Sequence, residues 1–255
     1  MTAYEAMIKT NHHFIKGGEL NEAQKNKILH FLLAEKHGNI RDGRRMKMYP
    51  DGPYPKFFIP PYNGGKKMQT VVPFSPKTNI AADNAYEFEM LRLFYLFTPA
   101  EERDKINHML DVTAERLTKT CFGYQSCHYA ECFEAGLTVF RFLSFARPHD
   151  LAWLDKQLTM YNNHFSDRKR HRGVQHYHWL CLSQMPFDLA KEQIHRQRDL
   201  LIEHLSRTYL NKNNADEIPL YVARNTLAQL ADFAYIKDRR PFADEKSGRL
   251  RFTLE

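Results

Sequence analysis

The apolar positions of the chain change their spacing twice, and each change marks a different kind of structure. Over residues 21–37, Ala23, Ile28, Phe31, Leu32 and Leu33 recur at helical intervals, and Gly38 follows where a helix-ending glycine belongs. The pattern predicts an amphipathic helix there. Between Gly38 and Ala82 the periodicity is lost. Gly38, Gly43, Gly52, Gly64 and Gly65 mingle with Pro50, Pro53, Pro55, Pro60, Pro61, Pro73 and Pro76 too densely for a helix to persist. Short strands fit between these breakers at residues 45–49, 56–59 and 68–72. A long irregular insert of this kind serves as a pocket cover or as a linker.

After Ala82 helical spacing returns, with segments predicted at 84–97, 100–118, 127–145, 150–165, 174–185, 188–209 and 219–235. They alternate between helices that are apolar nearly all round and helices with one polar face. Such alternation suits hairpins whose first members line an inside and whose second members face water. Pro99, Pro148 and Pro186 recur at the turn between members, at intervals of 49 and 38 residues, and the first interval superposes Arg92 on Arg141. Proline fits there because the first turn of a helix has no partner for its N–H. The expected organisation is an N-terminal helical segment over 1–38, the Gly/Pro-rich insert over 39–82 and a hairpin-repeat domain over 83–255, together one compact domain.

This alternation from Ala82 to Tyr235 resembles the α/α-toroid superfold, which includes terpenoid-cyclase-like proteins, lanthionine-synthesising cyclases and several polysaccharide lyases. The expected fold class is all-α: stacked αα-hairpins forming a partial α/α toroid or curved solenoid, with an insert containing short β-strands.

Composition narrows the chemistry. The 255 residues are 43% hydrophobic, with 18 Phe and 13 Tyr, which supports a packed core and excludes a disordered chain. The net charge of +7 favours anionic partners. Cys121, Cys127, Cys132 and Cys181 are too few for a disulfide-dense secreted scaffold. The first residues lack a signal-peptide pattern and no stretch reads as a membrane span, so a cytoplasmic address and no membrane partner are expected. Walker A, dinucleotide-binding, nucleophile-elbow and His-Glu-x-x-His motifs do not occur in the sequence.

The densest chemistry lies at Cys127-His128-Tyr129-Ala130-Glu131-Cys132, joined by His176, His178 and Cys181 from a later helix. Cys132, His128, His178 and Cys181 are a candidate zinc set, because thiolates and imidazoles suit a tetrahedral site and His128 and Cys132 share a helix face. The Cys127-His128 step resembles the zinc-binding Cys-His step of lanthionine cyclases. The alternative is no cofactor, with buried cysteines packing as small hydrophobes. Without metal, His128, Glu131, His176, His178 and Tyr86 form an acid/base set for a lyase or hydrolase acting on an anionic or polar small molecule or glycan. Asn162-Asn163-His164 resembles the Asn-Asn-His element of toroidal alginate lyases, which implies substrate contacts from Asn163 and His164. The basic run with Arg168, Arg170 and Arg172 would hold the negative charge of such a substrate, or phosphates in a nucleic-acid-binding alternative. A non-catalytic helical-repeat scaffold is the third reading.

Overall fold

The computed structural model describes residues 1–34, 57–58, 60, 68–74, 79–118, 120, 130–148, 150–165, 172–207, 209–210, 217–245 and 247–254. The chain is predominantly helical, with one small three-stranded sheet among the described residues. It divides into two compact units. The strand expected at 45–49 lies outside the described residues.

The first unit comprises Met1–Asn11, Glu19–Thr70 and Ser75–Asp150. Its core is α3 (Asn79–Phe97), which packs along α5 (Ala130–Ala146) and touches α2 (Glu22–Ala34) and α4 (Asp104–Leu117). From Ala81 to Leu91 every residue of α3 is buried, so neighbours cover all its faces. Aromatic rings lock the contacts: Phe88 stacks on Phe142 at 4.6 Å, and Tyr95 meets Phe145 edge-on at 5.2 Å. The segment expected as one helix over 100–118 is divided. A 3-10 turn (Ala100–Glu102) follows Pro99, and α4 starts after Arg103. Arg103 fixes the break by donating to the Thr98 carbonyl at 2.9 Å while its guanidinium lies 4.6 Å over the Tyr95 ring.

Two expected strands in the insert are corrected. Residues 68–72 form no strand, since side chains occupy the backbone groups a ladder would use. The Tyr4 hydroxyl donates to the Gln69 carbonyl and accepts from the Gln69 N–H, both at 2.9 Å. In the 56–59 segment, Phe57 and Phe58 are also outside any strand. The Phe57 N–H donates to Glu87, and Phe58 stacks on Phe94 at 4.9 Å.

The second unit comprises His12–Gly18, Val71–Phe74 and Leu151–Glu255. It contains α6 (Leu151–Phe165), α7 (Arg172–Gln184), α8 (Phe187–Ser206) and α9 (Glu217–Leu227). Helix α9 packs on both α7 and α8, and α6 packs on α8. The end of α1 (Ala3–Ile15) is tied to α9 by Asn225 Nδ2 donating to the Ile15 carbonyl at 2.8 Å and by Lys16 with Glu217 at 2.5 Å. Gly17 ends that helix at φ +87°, a conformation that disfavours side chains with a Cβ.

Two further boundaries differ from the sequence expectation. The helix expected over 188–209 stops at Ser206, because Arg207 turns extended and sends Tyr209 into a sheet. The helix expected over 219–235 stops at Leu227 and is followed by a 3-10 segment, Ala231–Ile236. The sheet itself was not anticipated. Its order is β1 (Tyr209–Leu210), β3 (Arg249–Arg251), β2 (Phe242–Ala243), antiparallel throughout, with Tyr209 opposite Leu250. No helix among the described residues is long and apolar enough to cross a membrane.

Candidate functional site

Buried charge in the first unit is paired. Glu87 on α3 is wholly buried and accepts from both terminal nitrogens of Arg116 on α4, at 3.0 and 2.7 Å, as well as from the Phe57 N–H at 3.1 Å. Glu89, on the same helix, takes the Arg141 guanidinium of α5 and lies 3.7 Å from Arg92, which also donates to Asn11 at 3.0 Å. The bidentate guanidinium–carboxylate geometry of Glu87 and Arg116 satisfies charge that would otherwise be costly to bury. Tyr86 is buried beside these residues in α3. These groups join helices.

The second unit holds a cleft of about 190 Å³ lined by Gln175, His176, Trp179, Leu200, Glu203, His204, Arg207 and Tyr209. Its walls follow from the local sequence. In α8, Ala190, Ile194, Gln197, Leu201 and Leu205 are buried at helical spacing and set the inward stripe. His204 lies one residue from that stripe, on its border. Glu203 and Arg207 stand four residues apart on the outer side and form an ion pair. In α7, His176 and Trp179 are three residues apart and share a face. The rings gather closely: His176 to His204 at 4.7 Å, His176 to Trp179 at 5.4 Å and Trp179 to His204 at 5.2 Å.

The turn after α8 completes the site. By leaving the helix at Arg207, the chain brings the Tyr209 hydroxyl to 2.7 Å from His204 Nδ1 and 2.8 Å from the His204 carbonyl. A phenol has one proton. Both contacts are satisfied when the hydroxyl donates to the carbonyl and Nδ1–H donates to the phenol oxygen. That assignment leaves Nε2 as a bare acceptor. Nε2 is buried and has no hydrogen-bond partner among the described residues.

Both cleft imidazoles are neutral at pH 7. Burial holds His176 at about 4. Burial, then the neighbouring His176 and Arg207, hold His204 at about 3. The cleft therefore offers two neutral rings, an indole wall and a guanidinium–carboxylate rim.

The other residues singled out by the sequence lie elsewhere. His178 is fully buried in α7, within a chain of bonds in which Trp179 Nε1 donates to Gln197 Oε1 at 2.6 Å and the Gln197 amide meets His178 Nδ1 at 3.3 Å. Cys181 is buried in the same helix. Cys132 is partly buried in α5 of the first unit, and Tyr86 is fully buried in α3. His128, Arg168 and Arg170 lie outside the described residues, as do the side chains of Glu131, His164 and Arg172. Asn163 is exposed on the last turn of α6. No group of three His, Cys, Asp or Glu among the described residues could hold a metal ion.

His204 and Tyr209 escaped the sequence reading. The available signal was His204-x4-Tyr209 across a predicted helix end, where a histidine next to buried Leu205 stands on the edge of an apolar stripe. No family model matches the chain, and no curated protein and no solved structure is similar to it.

Proposed function

We propose that the chain is an acid/base enzyme for a small polar or anionic substrate, with its site in the cleft of His176, Trp179, His204, Arg207 and Tyr209. The observation that carries this reading is the gathering of the His176 and His204 imidazoles, 4.7 Å apart, with Trp179 and Tyr209 around one cavity. In this reading the imidazoles of the cleft exchange a proton with a substrate O–H or N–H, and Tyr209 fixes the tautomer of His204 by holding Nδ1–H. Trp179 provides an apolar wall, and His176, in the first turns of α7, is the second imidazole. A hairpin array of the toroid or solenoid kind opens its pocket at the ends of inner helices, and α7 is the helix read as inner. The proposed chemistry uses no metal.

The test is ligand binding read by tryptophan fluorescence. Trp153 and Trp179 are the two tryptophans, so a Trp153→Phe background makes Trp179 the sole reporter. Benzoate, benzamide and phenol are suitable ring-sized probes. At least one should change the fluorescence saturably at millimolar concentration, and His204→Phe, which keeps a ring and removes both nitrogens, should weaken it tenfold or more. No response to any of the three, or equal affinity in His204→Phe, would overturn the reading.

A further inference from the structure

We infer that Gln197 is a positioning residue of the cleft: its amide holds the indole of Trp179 as an apolar wall and fixes the core imidazole of His178 as the Nε2–H tautomer. This rests on the reading of the cleft as the ligand site. The chemistry of the three side chains allows one arrangement. An indole has a single polar group, the Nε1–H, which donates and never accepts. Trp179 Nε1 lies 2.6 Å from Gln197 Oε1, so the carbonyl of the amide faces the indole and its NH2 group faces away from it. That NH2 group meets His178 Nδ1 at 3.3 Å. An amide nitrogen only donates, which makes Nδ1 an acceptor and leaves the proton of the neutral ring on Nε2.

The placement of Gln197 gives this relay its role. It stands on the inward stripe of α8, three residues before Leu200 and seven before His204, both of which line the cleft. Gln197 itself is buried, at 5% exposure, and is not part of the lining, whereas Trp179 is. The nitrogen edge of the indole is therefore turned into the core, and the cleft meets ring carbons. Such a wall suits an aryl or alkyl part of a substrate, because an apolar group laid against it displaces water without stranding a donor. Gln197 acts on the ligand only through Trp179.

Removing the amide takes this acceptor from a donor inside the core, where an unmet N–H is costly. The indole then turns toward another acceptor or admits water, and the wall is lost. Glutamate at this position keeps the wall. Ionised, it accepts from the indole and from a proton on His178 Nδ1; protonated, its carbonyl accepts from the indole while its O–H donates to Nδ1.

The experiment uses the full chain with Trp153→Phe and whichever of benzoate, benzamide and phenol binds it most tightly. Gln197→Leu should raise that Kd fivefold or more, and Gln197→Glu should stay within twofold of the parent. An unchanged Kd in Gln197→Leu, or an equal loss in Gln197→Glu, would overturn the inference while leaving the site in place. If none of the three probes binds, both the site and the inference fall. A long-range ¹H–¹⁵N NMR spectrum of the His178 imidazole, assigned against His178→Gln, tests the same arrangement with Gln197 intact and so does not depend on whether Gln197→Leu folds. It should show a proton on Nε2 and none on Nδ1 at pH 7. A proton on Nδ1 would overturn the inference, since the amide would then present its oxygen to the histidine and its NH2 group to the indole.

Discussion

Replacing Arg116 by methionine should destabilise the chain by about 3–5 kcal/mol, a loss expected when one partner of a buried ion pair is removed and the other charge remains. Glu87 is wholly buried and Arg116 nearly so, at 4% exposure, and the two share a pair of hydrogen bonds between α3 and α4. Methionine keeps the length of the side chain, so the change isolates the charge. Urea unfolding measures it. The double variant Glu87→Leu with Arg116→Met should recover most of the loss, because replacing both partners by apolar groups removes the uncompensated charge as well. An Arg116→Met cost below about 1 kcal/mol, the range of exposed ion pairs, would contradict this account of the first unit.

Acidification should destabilise the second unit before its carboxylates protonate. His176, His178 and His204 are held at about 4, 3 and 3, each with burial as the largest cause. An unfolded histidine titrates near 6.5. Because the folded values lie below the unfolded one, their contribution to stability is complete above pH 6.5. It is lost as pH falls, by about 1.4 kcal/mol per unit for each residue. By pH 5 each costs up to about 2 kcal/mol, and the three together rival the whole stability of an ordinary domain. Urea midpoints between pH 7.5 and 5 should fall steeply. His178→Gln, which keeps an acceptor for the Gln197 amide, should flatten the dependence by about a third. A midpoint that is constant over this range would show that these imidazoles are solvated.

The helices were legible where burial imposes a period. In α8 the buried Ala190, Ile194, Leu201 and Leu205 repeat every three to four residues or multiples of that spacing, and in α3 a dense apolar run marks a helix covered on all sides. The sheet was not legible. Its strands are two or three residues long, and in β3 only Leu250 points inward between exposed Arg249 and Arg251, which is too short for an alternation to register. Residues 68–72 read as a strand because they fit between turn-forming breakers, yet Tyr4 takes the Gln69 backbone groups.

The candidate site was legible only in part for a related reason. His176 and His178 stand two apart on one helix, and that spacing sends them to different surroundings, the first to the cleft and the second to the core. Sequence shows which residue types are chemically capable but not which of two such positions meets a cavity. His204 is contributed by another helix, 28 residues later. Tyr209 reaches it only because the chain leaves helical geometry at Arg207. A helix boundary two or three residues out therefore conceals the contact that fixes the tautomer of the site.

The most direct measurement is a long-range ¹H–¹⁵N NMR spectrum of the imidazole of His204, assigned by comparison with His204→Gln. The account predicts a neutral ring at pH 6 with the proton on Nδ1 and an unprotonated Nε2. A proton on Nε2 in the free protein, or ordinary titration near pH 6.5, would contradict it.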